Sequence, residues 1–240
     1  MVLIREIECP TDKYSKKCPY AMTPEFVVIH NTANRASAKN EIAYMHSNSN
    51  EVSFHFAVDD VEAIRGIPLN RNAWHASDGA NGRGNRKGIA IEICYSYCED
   101  ESTWKQLYKS KFEKSQENAA ELVAYLLHTY GWGMDTSRIK KHADFTNKHC
   151  PHRTLDTYGW DYFIELVKSK YNSMYNDAPK AEVTNSDSYD TIESCPDYAQ
   201  ATIKKLVSKG YLKGNDENKL DLSKDMIRIF VILDRAGVFG

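Results

Sequence analysis

The chain lacks any excess of charge. Its 31 Lys and Arg stand against 33 Asp and Glu, a formal net charge of −2 over 240 residues. Proteins that grip the nucleic-acid backbone carry a strong basic surplus, so this balance points away from such partners. No apolar run approaches the roughly 20 residues that a membrane-spanning helix needs, so membrane insertion is not expected. The first eight residues place Arg5, Glu6 and Glu8 among their few apolar neighbours, which is not the pattern of a secretory signal peptide. The expectation is a chain made in the cytoplasm. No internal repeat is present. What remains is 42% hydrophobic residues, enough for a core. The length suits one large domain, or a medium domain with a small one.

The six cysteines are Cys9, Cys18, Cys94, Cys98, Cys150 and Cys195. In a reducing compartment they are expected as free thiols, several of them buried as small hydrophobes. Cys150 stands apart because it falls in His142-Ala-Asp-Phe-Thr-Asn-Lys148-His149-Cys150-Pro151-His152, which holds three histidines, a cysteine and a lysine in eleven residues. The stretch has little apolar periodicity and reads as a loop. Imidazole nitrogen and thiolate sulfur are preferred zinc partners, and a catalytic zinc takes three protein ligands and leaves one position open. The loop is expected to supply two ligands, with a third from far earlier in the chain. Spacing alone also allows His142, Cys150 and His152 as a local set, or a closed structural site with four ligands.

Along the chain, a short strand is expected within Val2–Ile7. Phe26–Ile29 is a continuous apolar run, as in a strand buried on both faces, and it delivers His30 and Asn31 at its end. A helix capped by Ser37 runs to Asn48, with Ala38, Ile42 and Met45 as its stripe. Residues 52–58 alternate as a strand that places Phe54, Phe56 and Val58 on one face, followed by a hairpin partner at 63–68. Residues 70–87, rich in Asn, Gly and Arg and containing Trp74 and His75, read as a surface loop. Residues 88–94 form another strand, in which Glu92 is a carboxylate on an otherwise apolar run, costly unless paired or used. Helices are expected over 113–130, stopped by Gly131, and over 160–171. Residues 172–193 shift to Asn, Asp, Ser, Thr and Pro and read as a linker. Two further helices, 198–209 and 223–236, make a small helical module over 194–240.

Five segments occur in order: Val27-Val28-Ile29-His30-Asn31-Thr32; Val52-Ser53-Phe54-His55-Phe56-Ala57-Val58-Asp59-Asp60; Asn72-Ala73-Trp74-His75-Ala76; Ile91-Glu92-Ile93-Cys94; and His142 with Lys148-His149-Cys150-Pro151. Together they resemble the type 2 N-acetylmuramoyl-L-alanine amidases, a family that includes phage endolysins of Gram-positive hosts and is related to the peptidoglycan recognition proteins. The resemblance covers residues 1–171. It implies an α/β fold, a mixed central sheet flanked by helices, and one zinc ion on His30, His142 and Cys150. It further implies Glu92 as a catalytic carboxylate and Lys148 as its cationic helper, with peptidoglycan as partner and the bacterial cell wall as the place of action. His75, Trp74 and Asn31 are candidates for contact with substrate, and His55 is expected as a satisfied core histidine. Some family members have a catalytic tyrosine where this chain has Phe54. The tail faintly resembles the cell-wall-binding modules of clostridial lysins, which implies a wall polymer as its ligand. The alternatives are a recognition protein without catalysis and a regulator that binds another protein.

Overall fold

The computed structural model describes residues 2–176, 188–215 and 218–239. The chain divides into two compact units, Met1–Ala178 and Pro179–Gly240. In the larger unit six strands, β1 (Leu3–Glu6), β2 (Phe26–Asn31), β3 (Phe56–Val58), β4 (Glu62–Arg65), β5 (Gly88–Ile93) and β6 (Ile139–Lys141), form one sheet in the order β1-β4-β3-β5-β2-β6. Only the β3–β4 hairpin is antiparallel. The expected mixed sheet with helices on both sides is therefore present.

Period-two alternation assigns the two faces. Val27, Ile29, Phe56, Val58, Ile89, Ile91 and Ile93 join one cluster with the stripe of α5 (Lys109–Thr129) and with Phe163 and Val167 of α7 (Trp160–Tyr171). Gly131, at φ +66°, ends the long helix as expected. Ala57, Ile64, Ala90 and Cys94 form the opposite cluster with Ala38, Ile42 and Met45 of α2 (Ala38–Ser47). The Ser37 side chain caps α2 by accepting from the Asn40 amide. Short helices complete the unit: α1 (Tyr14–Lys17), α3 (Arg83–Lys87), α4 (Glu101–Leu107) and α6 (His152–Thr157).

The structure corrects the sequence reading in three places. Residues 52–55 are not strand, and Phe54 packs in the α2 cluster while Phe56 and Val58 face the other way. The reason is His55, whose own amide donates to the Ala90 carbonyl while its Nδ1 accepts from the Ala90 amide and Nε2–H donates to the Arg71 carbonyl. The side chain thus takes up backbone groups that a longer strand would have paired. Residues 70–87 are not a surface loop throughout, because Asn72, Ala73, His75, Ala76, Gly84 and Asn85 are buried. The stretch read as linker carries structure at both ends. Tyr175 stacks on His128 with ring centroids 3.8 Å apart, and Tyr189 bridges to Leu222. Its middle, 177–187, lies outside the described residues.

The smaller unit has its own core. Cys195, Ala199, Ile203 and Leu206 of the α8 region (Asp197–Ser208) meet Leu222 and, from α9 (Lys224–Arg235), Ile227 and Val231. Asp234 ties the two helices by accepting from Thr202 Oγ1 and Lys205 Nζ. Among the described residues no helix is long and apolar enough to cross a membrane.

Candidate metal centre

The parallel pairing of β2 with its two neighbours builds the centre. His30 of β2 is in register with Glu92 of β5, so both side chains project from the α2 face near the carboxyl ends of central strands. On the other side Ile29 pairs with Lys141, the last residue of β6. The next residue, His142, thereby comes beside His30, 112 positions away in sequence. Their Nδ1 atoms lie 3.1 Å apart. The loop after His142 returns through an Ala143 amide donating to the Cys150 carbonyl. The Thr154 amide, at the start of α6, donates to Asn31 Oδ1. These two bonds hold Cys150 with its sulfur 3.9 Å from His30 Nδ1. The donor atoms of His30, His142 and Cys150 all lie within 4.8 Å of one another, and all three residues are buried.

The residues fit a soft divalent cation. Burial, then the neighbouring His75 and His142, pushes His30 well below the usual histidine range. Burial, then Lys148, also lowers His142 from its ordinary value. Both rings are therefore neutral and offer a lone pair. Burial pushes the Cys150 thiol up to about 11. A cation at the three atoms would reverse that shift, since a coordinated thiol is deprotonated outright. Two imidazole nitrogens and one sulfur match zinc better than they match calcium or magnesium, which take oxygen.

Glu92 stands at the edge of this group, its Oε1 4.0 Å from His30 Nδ1. Burial, reinforced by Glu41 and opposed by Lys148, raises its carboxyl to about 8, and its Oε2 has no hydrogen-bond partner. A cavity of about 150 Å3 opens over Glu92, His30, His142 and Cys150 and is bordered by Phe54, Trp74 and Lys148. Lys148 is exposed and borders the cavity, near enough for its charge to act on Glu92.

A profile of the family Amidase_2, N-acetylmuramoyl-L-alanine amidase, matches residues 20–153, which is more than half of the chain and includes the whole centre. The chain belongs to this amidase family. It is 44% identical over 214 residues to the N-acetylmuramoyl-L-alanine amidase XlyB of Bacillus subtilis (strain 168), across 87% of this chain and 64% of that relative. To the amidase CwlA of the same strain it is 44% identical over 194 residues, across 77% of this chain and 66% of the relative. The chain thus spans just under two thirds of the length of these two relatives. Among solved structures it is similar to PlyL, with 43% identity, a TM-score of 0.61 and coverage of 68% of this chain and 96% of that one. It is also similar to the catalytic domain of XlyA, with 35% identity, a TM-score of 0.58 and coverage of 69% and 99%.

Within this amidase fold the remaining candidates take distinct places. Asn31 has both ends of its amide engaged by backbone, at Thr154 N and the Ile93 carbonyl. His75 is buried behind the centre with Nδ1 3.0 Å from His30 Nε2. Trp74 is half-buried at the cavity rim, and its Nε1 donates to the Lys16 carbonyl. His149 pairs with Asp156 at the surface, and His152 sits edge-on to Tyr95. His55, burial-shifted down to about 4, is a satisfied core histidine. Sequence reasoning missed Asn85, whose buried side chain organises the 75–85 segment. Its only sequence signal is a polar residue amid the glycines of a short loop.

Proposed function

We propose that the chain is a zinc-dependent N-acetylmuramoyl-L-alanine amidase of the endolysin type. It would cleave the amide between the lactyl group of muramic acid and the L-alanine of the stem peptide in bacterial peptidoglycan. The observation that carries the reading is the convergence of His30, His142 and Cys150 beneath an open cavity, with Glu92 alongside. His30, His142 and Cys150 would hold one zinc ion, which would lower the pKa of a bound water and polarise the substrate carbonyl. Glu92, on a desolvated strand face with one oxygen unpartnered, takes the proton from the attacking water and delivers it to the departing alanine amine. Lys148 offers its ammonium to the negative charge that develops on the amide oxygen. Phe54 has no hydroxyl to assist, so proton handling falls to Glu92.

Of the three side chains expected at substrate, Trp74 fits best. It borders both the catalytic cavity and a neighbouring one of about 580 Å3 that extends toward Tyr20 and Glu51. Asn31 and His75 also line the catalytic cavity, but they are buried and brace the centre. We read residues 194–240 as a module that binds a wall polymer, supported by their separate core. A tether of this kind raises the local concentration of the hydrolase at its substrate. Digestion of purified cell walls tests the activity: free alanine amino groups should appear with no new reducing sugar ends. Reducing ends without amino groups would make the chain a glycosidase instead.

A further inference from the structure

Both imidazoles of the centre are backed by one dipeptide. His75 Nδ1 lies 3.0 Å from His30 Nε2. With His30 Nδ1 turned to His142, Cys150 and Glu92, the proton belongs on Nε2, where it is donated to His75. The carbonyl of the next residue, Ala76, is the backbone group facing the His142 ring. His142 Nε2 makes no hydrogen bond of ordinary geometry. A cation at Nδ1 would strengthen Nε2–H as a donor toward that carbonyl.

The dipeptide is in turn gripped by one side chain. Asn85 Oδ1 accepts from the amides of both His75 and Ala76, each at 2.8 Å, and Asn85 Nδ2 donates to the Gly79 carbonyl at 3.1 Å. Asp78 fixes Asn85 from below, accepting from the Gly84 amide at 2.6 Å and the Asn85 amide at 3.2 Å. Gly84 permits the close approach. A Cβ there would fall 2.4 Å from Ala76 Cβ and 3.0 Å from Phe145, which belongs to the loop carrying His142 and Cys150. Asn85 is 4% exposed and its bonds to the His75 and Ala76 amides are buried, so that grip is shielded from water, while the Asp78 and Gly79 end is only part-buried.

We infer that Asn85, by holding the peptide units of His75 and Ala76, is a positioning residue for the metal, and that His75 fixes the tautomer of His30. The inference rests on the metal-dependent reading above. It assigns residues that lie outside the ligand set, His75 at the cavity wall and Asn85 behind it.

The test is zinc affinity of the full chain, measured by competition with a chromophoric chelator, for the wild type and for His75→Phe, His75→Asn and Asn85→Ala. Circular dichroism of each metal-free protein checks the fold. His75→Phe and Asn85→Ala should weaken zinc binding roughly 10- to 100-fold, as loss of an outer hydrogen-bond partner does. His75→Asn, whose side-chain oxygen falls near the place of Nδ1, should recover most of the affinity. If Asn85→Ala disturbs the fold, the contrast between Phe and Asn at position 75 still decides, because Asn keeps an acceptor near the place of Nδ1 and Phe has none. Wild-type affinity in folded His75→Phe and Asn85→Ala overturns the inference and leaves the amidase reading intact. Equal weakening by Phe and Asn at position 75 overturns the tautomer role. A wild-type chain that binds no zinc overturns both readings.

Discussion

On β5, Ile89, Ile91 and Ile93 point to one side of the sheet, and Ala90 and Glu92, with Cys94 just after the strand, point to the other. The first side meets α5 and α7 through large aliphatic and aromatic groups. The second meets α2 through alanines, cysteines and a few larger groups; it also carries His30 and His55, and α2 sets Glu41 against it, all buried. The apolar side gains stability from the area it removes from water, about 25 cal/mol per Å2. The mixed side sacrifices part of that gain to keep ionisable groups dry, and dryness is what shifts Glu92 and strips charge from the histidines. One sheet thus separates folding from chemistry by the alternation of its strands.

Substitutions on each side should separate the same two properties. The largest effect belongs to His142→Ala, which should abolish zinc retention and wall cleavage while the apolar side keeps the chain folded. Metal analysis beside a lysis assay checks it, and full lysis by this variant would refute the ligand set. Glu92→Gln should lower the rate about 100- to 10,000-fold with zinc still bound, the range for loss of a general base. Unchanged turnover would remove Glu92 from the reaction.

Leu126→Ala, on the fully buried stripe of α5, should cost about 2–5 kcal/mol of stability. The activity of each folded molecule should be kept, and denaturant titration with rates at low temperature would show both. Glu41→Gln should have the smallest effect. Burial raises the Glu41 carboxyl above its ordinary 4.5, against the lowering by Asn34. The folded chain then holds this proton more tightly than the unfolded one, so its stability falls as pH rises from 4.5 through the raised value. Glutamine has no proton to lose. The variant should therefore gain on the order of 1 kcal/mol or less at neutral pH, and that gain should vanish below about pH 4. A constant difference across this range would place the Glu41 effect elsewhere.

Much of the α/β plan is legible locally. The Phe26–Ile29 run, the alternation in 88–94, the α5 stripe with its glycine stop and the 160–171 helix need only a few neighbouring residues to declare themselves. β6 does not, because Ile139-Lys140-Lys141 is too short and too charged to show a strand pattern. It is a strand because β2 offers it an unpaired edge. α4 was missed for a related reason. Its Asp100 cap, accepting from the Thr103 amide, is a weak cue, and Trp104 is buried by Phe112 and by Arg153, whose guanidinium lies over its ring. Residue type marked the loop as a source of ligands but left several sets open, and the resemblance of the five ordered segments to the amidase family selected His30, His142 and Cys150. The support behind them was hidden: nothing in the sequence says that Asn85 reaches back to the amides of His75 and Ala76.

By itself, the sequence determined the longer helices and the two central apolar strands, the apolar face of each, and which side chains can ligate a metal, because these follow from short-range periodicity and side-chain chemistry. Only the tertiary structure decided that β6 lies beside β2, that His142 therefore meets His30, and that His75 lies behind His30. Those neighbours are set by backbone hydrogen bonds between distant segments, and such pairing depends on the packing of the whole sheet.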